Sequence, residues 1–532
     1  MKTNVSYYLK YLRNDVPASV VVFLVALPLC LGVALASGAP LFSGVIAGMV
    51  GGIVVAWFSG SHLSVSGPAA GLTVIVYNAI ETLGDFKAFL LSLAIAGVIQ
   101  MSLGFLRAGL IGAFFPGAVI KGMLAAIGMI LIIKQTPHAT GYDAGYAADE
   151  SYMPDTAGAS FLEFTQSLNG ISPGATLVAA VALLILIGWD SGFIKRFSIL
   201  KMVPGPLLAV VWGVLFNNWA LAYAPEWSIA EKYLVSLPEL GSTSNFVAQL
   251  RMPDFSYIEN PKIYSVALTL AIIASLETLL SIEAVDKLDP HKRISPTNRE
   301  LKAQGLGNLI SGLIGGLPIT AVIVRSSANI NAGGQTRISG FLHGVLLMVS
   351  VLFFARYLNM IPLSCLAAIL LQTGYKLAKP AMFFEFYKKG PNQFIPFTIT
   401  VFAILFTDLL EGIAIGMACG IFFVLRANFH VAMSLTQHGP HYLLRLHKDV
   451  SFLNKALLRN HLSNIPDDSE LIIDGGKTLF IDHDILETIA DFLLAAPDRN
   501  ISVELQGFDL AFPALGYEAG FSPRLAASAS HA

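Results

Sequence analysis

Long runs without a single charge recur along this chain, and they constrain it more than any other feature. Val20 to Ala36, Ser43 to Ser59 and Met202 to Phe216 contain no Asp, Glu, Lys or Arg. About 20 apolar residues carry a helix across a bilayer core, and these runs follow one another too closely to be the cores of soluble domains. At 532 residues, length alone would suggest three or four such domains. Composition agrees with the runs: 13% of residues are charged and 55% hydrophobic, against roughly 25% charged in a soluble chain. The sequence therefore predicts a polytopic α-helical membrane protein. A formal net charge of -2, with no basic stripe to meet phosphates, excludes a nucleic-acid partner. Cys30, Cys365 and Cys419 lie in apolar segments without a CxxC spacing and read as small buried residues. The polar stretch Met1 to Asp15 precedes an apolar run that leads into the body of the protein, so no cleavable signal peptide is expected.

Gly, Pro and charge clusters divide the first 430 residues into about fourteen hydrophobic segments, near 16–37, 42–59, 66–81, 87–107, 111–134, 173–193, 200–222, 262–285, 300–315, 318–331, 337–357, 361–378, 392–410 and 412–430. Lys2, Lys10 and Arg13 precede the first segment, and Lys195, Arg196 and Lys201 separate the sixth and seventh. Lys287, Lys292, Arg293 and Arg299 follow the eighth; Lys376, Lys379, Lys388 and Lys389 follow the twelfth. An even number of crossings between clusters puts all of them on the cytoplasmic side, with both termini inside. After about residue 435 the pattern changes. Tyr442 to Leu446, Glu470 to Ile473 and Ile501 to Leu505 read as strands, with helical spacing over Phe452 to His461 and Ile485 to Leu494. The expected domains are 1–435 in the membrane, in repeats of about 1–235 and 255–430, a small cytoplasmic α/β domain at 436–515, and a disordered tail at 516–532.

Two segments stand apart. Those at 66–81 and 318–331 are short, and they begin around Ser66-Gly67-Pro68 and Gly315-Gly316-Leu317-Pro318. They are the third of each half of seven. Interrupted spans at matching positions are the sequence mark of a transporter's binding site, since irregular backbone at membrane depth is tolerated only beside protein or a polar cavity. Inverted repeats would aim the two helix N-termini at one another, and N-termini attract anions. The N–H groups of Ala69, Ala70, Thr320 and Ala321 are the expected anion ligands, with Thr73 as a further hydroxyl. Arg325, near the far end of the tenth segment, either pairs with the anion or snorkels to the surface. Glu277 sits mid-span with Ser281 one turn on. An ionisable residue inside a span is functional by default. This carboxylate and hydroxyl, with Thr320, can hold Na+; alternatively Glu277 carries a proton. Asp408 and Glu411 sit at a span boundary, where helix capping accounts for them.

At these residues the chain resembles the SulP family of inorganic anion transporters. The matching stretches are Phe23 to Leu29, Ser66-Gly67-Pro68, Glu300 to Asn308, Gly315 to Pro318, Arg325 to Gly334 and Thr407 to Gly412, in family order over about 400 residues. The resemblance implies fourteen transmembrane segments in a seven-plus-seven inverted repeat with core and gate domains, an elevator-like mechanism, a homodimer and a C-terminal STAS-like domain. The serine-rich turn usual in that domain is absent; Asp474-Gly475-Gly476 stands there, with Thr478 the nearest hydroxyl. Among family members the chain looks closest to the bicarbonate transporters. In the Na+-coupled ones an acidic residue and a hydroxyl on the eighth span, matching Glu277 and Ser281, contribute to the cation site. Here Glu replaces the shorter Asp, and Ala69 stands where the bicarbonate transporters carry a hydroxyl.

The resulting expectation is a secondary active transporter of a small inorganic oxyanion in the inner membrane. Bicarbonate with Na+ or H+ is the first choice; proton-coupled sulfate or dicarboxylate transport, or an uncoupled exchanger or channel, is the alternative. A membrane-anchored interaction protein is the rival from another class. No nucleophile elbow, metal-ligand cluster or phosphate loop points to an enzyme, and no cofactor beyond a coupling Na+ is expected.

Overall fold

A computed structural model describes residues 5–110, 116–141, 171–190, 203–238, 249–407, 409–429, 433–447, 449–478 and 480–508. Lys2, Lys195, Arg196, Lys201, Asp408 and the 516–532 tail lie outside them. The chain forms two compact units, Met1–Met417 and Ala418–Ala532.

Among the described residues each predicted hydrophobic interval overlaps a helix, and those at 66–81 and 318–331 begin as short strands. The helices are α1 (Val5–Ala36), α2 (Leu41–Val50), α3 (Thr73–Leu83), α4 (Phe86–Phe105), α5 (Gly117–Thr140), α6 (Pro173–Asp190) and α7 (Gly205–Tyr223). They continue with α8 (Pro261–Leu288), α9 (Thr297–Ile314), α10 (Ile323–Asn331), α11 (Ile338–Leu358), α12 (Leu363–Leu377), α13 (Pro380–Lys388) and α14 (Pro391–Phe406), while α15 (Leu409–Phe429) begins in the first unit and ends in the second. Among the described residues, eight helical stretches are long and apolar enough to cross a membrane. α9 is not one of them, because polar residues run down its inner face. Local chemistry fixes several ends. Asp85 caps α4 by accepting from the Lys87 N–H at 2.9 Å, and Asn260 does the same for α8 through the Lys262 N–H at 3.0 Å. Gly315 ends α9 with φ at +93°, a left-handed turn that a side chain would strain.

Sequence patterning did not reveal two features here. α13 is too short to register as a span. Two three-residue strands, β1 (Ser66–Pro68) and β2 (Ile319–Ala321), precede α3 and α10 and pair with each other; three residues are too few for alternation to show.

α4 and α9 run antiparallel with their backbones in contact. A Cβ built on Gly97 would lie 2.3 Å from the Leu309 nitrogen, one on Gly305 2.6 Å from that of Met101, and one on Gly312 2.6 Å from that of Ala94. Small residues at such a seam let helices approach where no hydrophobic effect drives them together. Gly305→Leu is expected to destabilise the unit by about 3 kcal/mol, the upper end of overpacking penalties, because backbone cannot yield as a side chain can. Gly188→Leu on α6, with nothing within 4 Å of its Cβ position, should leave stability unchanged. Thermal unfolding of the two purified variants checks the contrast.

The second unit carries a four-stranded sheet in the order β3 (Met433–His438), β4 (His441–Leu446), β5 (Glu470–Asp474), β6 (Ser502–Gln506). β3 pairs antiparallel with β4, and the remaining pairs are parallel. The crossovers are α16 (Lys455–Ser463) and α17 (His483–Ala495). Leu444, Leu446, Leu458, Ile473, Ile485 and Ile489 form its core. The strands and helices predicted from Tyr442 onward are all present, and β3 is additional. In the Asp474-Gly475-Gly476 turn, Asp474 accepts from the Gly476 N–H at 3.0 Å and from Arg445 at 2.8 Å. Burial alone would push the Asp474 carboxyl up; these donors outweigh it and hold it below the usual carboxylate range. Thr478 spends its hydroxyl on the Gly475 carbonyl at 2.7 Å.

Candidate functional site

The two interrupted spans meet. Ser66 stands opposite Ala321, Gly67 opposite Thr320, and Pro68 opposite Ile319 in antiparallel pairing. The Val322 N–H donates to the Val65 carbonyl at 2.9 Å, one step beyond the ladder. Alternation of antiparallel bonds makes Gly67 and Thr320 the next hydrogen-bonded pair. α3 and α10 leave from opposite ends of this ladder, so the paired strands occupy the space between their first turns.

Polar side chains of α9 hold the ladder in place. Asn308 imitates a neighbouring strand: its Oδ1 accepts from the Ile319 N–H at 2.6 Å and its Nδ2 donates to the Ile319 carbonyl at 3.1 Å. Gln304 donates to the Ser66 hydroxyl at 2.7 Å and to Glu300 at 3.1 Å. Glu300, fully buried, also accepts from the Ser59 hydroxyl at 2.6 Å and the Gly60 N–H at 3.3 Å. Glu300, Gln304 and Asn308 recur one helical turn apart, a buried polar stripe along α9. That spacing is the signal that could have assigned them a supporting role from sequence. α10 grips the approach to β1 in the same way. Ser326 accepts from the Val65 N–H at 2.9 Å, and Asn329 donates to the Leu63 carbonyl at 3.1 Å. At the far end of α10, Asp15 accepts from the N–H groups of Gln335 and Thr336 at 2.7 and 3.1 Å.

Arg325 is fully buried, and its charge does not snorkel to the surface in this structure. Its Nη2 donates to the Pro68 carbonyl at 3.2 Å. Nε and Nη1 are buried without a hydrogen-bond partner. Gly67 makes room for the guanidinium, since a Cβ there would lie 2.1 Å from Nη1.

Glu277, on α8, reaches the opening turn of the other half-helix. A Cβ on Gly71 would lie 2.6 Å from its Oε1, so only glycine lets the carboxylate approach. Oε2 is buried and has no hydrogen-bond partner. The next residue, Thr278, accepts from the Ala321 N–H at 3.4 Å, so α8 touches both interrupted segments. Ser281 is buried one turn further on.

The other predicted ligands are placed as follows. Ala69 is extended and buried. Ala70 opens a 3-10 turn (Ala70–Leu72) whose first N–H groups have no intrahelical partner. Thr73 donates to the Ala70 carbonyl at 2.8 Å. Thr320 is buried in β2 with its hydroxyl 3.3 Å from the Ala321 carbonyl. The half-helix α10 starts later than the sequence suggests, because the chain stays extended through Ala321 to pair with β1. Its open N–H groups therefore belong to Ile323, Val324 and Arg325, whereas the Ala321 N–H is taken by Thr278 and the Thr320 N–H faces the ladder. Gly67, Gly71 and Thr278 are site residues that the sequence reading did not single out.

A buried crossing of two short strands, each leading into a half-length helix within a bundle of apolar helices, defines a membrane transporter. The sulfate permease family model matches residues 12–400, and the chain belongs to that family. It is a multi-pass transporter and not an enzyme. "Putative sulfate transporter YvdB" of Bacillus subtilis is 27% identical over 84% of this chain and 79% of its own length. Bicarbonate transporter BicA of Picosynechococcus sp. is 26% identical over 77% and 69%. The solved structure of SLC26A9 shares the fold, with a TM-score of 0.76 at 17% identity over 94% of this chain and 84% of that one.

Proposed function

We propose that the chain moves a small inorganic oxyanion, bicarbonate first, together with Na+ or a proton. The observation that carries this reading is the buried Glu277 carboxylate, set against Gly71 at the first turn of an interrupted helix with one oxygen unpaired. An ionised carboxylate so close to the opening of α3 repels an anion in a medium of low dielectric. A cation at Glu277 and Ser281 removes that repulsion, so anion and cation favour each other's binding; this is symport in physical terms. The donor set suits Na+, which takes carboxylate and hydroxyl oxygens, and it also suits a proton on Glu277. The anion rests at the open N–H groups of the turn that Ala70 begins and of the α10 first turn, with the Arg325 guanidinium behind β1; the Ala69 N–H, expected from the sequence to join them, faces β2 in the antiparallel register. Thr73 and Thr320 stand close in sequence to those turns.

The wider architecture in this proposal is fourteen spans in two inverted repeats of seven that move as core and gate in an elevator-like cycle. Both termini lie in the cytoplasm of a cell whose inner membrane holds the protein as a homodimer, and the C-terminal α/β unit is a STAS-like domain. Sulfate is the second reading, favoured by the sulfate transporter named among the relatives. Uptake of labelled bicarbonate and of labelled sulfate into proteoliposomes, under an imposed Na+ or proton gradient, tests both. Na+-driven bicarbonate accumulation is the expected result. Proton-driven sulfate accumulation would move the substrate and make Glu277 a proton carrier, and equilibration without accumulation would refute symport.

A further inference from the structure

α13 joins α12 to α14 through two-residue links, Ala378-Lys379 and Lys389-Gly390. One face is anchored. Phe386 stacks on Phe397 of α14 at 4.6 Å between ring centroids, and Phe383 meets the same ring edge-on at 5.0 Å. Ala118 and Ala125 of α5, a helix long and apolar enough to cross the membrane, belong to this cluster. α13 is thereby tied to the end of the membrane bundle and cannot move away from it. Its outer side is open: Phe384 is 69% exposed, and Tyr387, which meets Phe394 of α14 edge-on at 5.4 Å between ring centroids, is still 68% exposed. The charge around it is one-sided. Glu385, its carboxylate, is paired with Lys389 at 2.6 Å and lies within electrostatic reach of exposed Lys121. Lys379 and Lys388 are exposed, and neither has an acidic partner among the described residues.

We propose that α13, with Lys379 and Lys388, is a docking surface for acidic phospholipid. Phe384 and Tyr387 enter the boundary between headgroups and acyl chains, and the two lysines meet phosphate. A short amphipathic helix with bulky apolar residues on one side and lysines beside them lies in the plane of the interface. Each lysine near an anionic surface adds attraction that salt screens. The alternative occupant, a protein contact, predicts a different response and is an outcome of the test.

The full chain is purified in detergent with an equal mixture of phosphatidylglycerol and phosphatidylcholine, and the retained lipids are counted by native mass spectrometry. Phosphatidylglycerol should be enriched. In Lys379→Gln/Lys388→Gln the enrichment should fall roughly thirtyfold, as expected for two lysines at an anionic surface, and high salt should reproduce that fall in the unaltered protein. Phe384→Ser/Tyr387→Ser should lower retention of both lipids. Enrichment that survives the lysine substitutions overturns the proposal. So does an equal fall in Lys262→Gln, an exposed lysine on α8. A loss of thermal stability for the double variant in purely neutral nanodiscs also overturns it, because the lysines would then serve a protein contact.

Discussion

Glu277→Gln abolishes gradient-driven uptake, bringing it to the level of protein-free vesicles, while the protein unfolds at a temperature no lower than before. The substitution keeps the shape of the side chain beside Gly71 and removes only its capacity for charge. No hydrogen bond at Oε2 is lost, because that oxygen has none. Removing an uncompensated charge from a buried site is neutral or stabilising. A ligand that binds only the folded state raises stability in proportion to the logarithm of its concentration. Cation-dependent stabilisation, Na+ or acid, should therefore be present in the unaltered protein and absent in Glu277→Gln, and this readout is independent of transport. Full cation-driven uptake by the variant would remove Glu277 from the coupling role.

Arg325→Met weakens anion binding roughly ten- to hundredfold, the loss expected for one charge-assisted hydrogen bond of about 1.5–3 kcal/mol. The argument rests on two guanidinium nitrogens that are buried and unpaired, behind a strand whose glycine admits them. A buried donor without a partner is costly to maintain, and an anion at the ladder would satisfy it. The Pro68 contact gives Arg325 a bracing role as well, so the readout must separate the two. A rise in the apparent KM for the anion, with cation-dependent stabilisation preserved, assigns the guanidinium to the substrate. An unchanged KM with lowered stability would leave Arg325 as a brace for β1.

Much of this was legible in the sequence because a membrane imposes coarse rules. The uncharged runs marked the helices, Pro68 and Pro318 marked the interruptions, and Glu277 was conspicuous as a mid-span charge. The unread part depends on contacts distant in sequence. Asn308 looks like one more polar residue until Ile319 is placed beside it, and Gly67 and Gly71 differ from other glycines only through Arg325 and Glu277. The polar stripe of α9 was visible as part of a family motif, but its purpose required knowing that a strand lies against it. The start of α10 was placed too early for the same reason. Val322 remains extended because Val65, far earlier in the chain, accepts its hydrogen bond.

The ladder between Ser66 and Ala321 joins residues 255 apart (321 minus 66). Contacts of such separation form late, since the intervening chain must first be closed into a loop. During synthesis, β1 reaches the bilayer with unpaired backbone groups long before β2 exists, and hydrocarbon offers them no partner. The first half must wait in a provisional arrangement, with water or a chaperone satisfying Ser66 to Pro68, until α9 and β2 arrive. Biogenesis of this transporter is therefore vulnerable at a defined moment, and a ribosome stalled between α7 and α9 would leave a chain whose helices are inserted and whose site has no second strand.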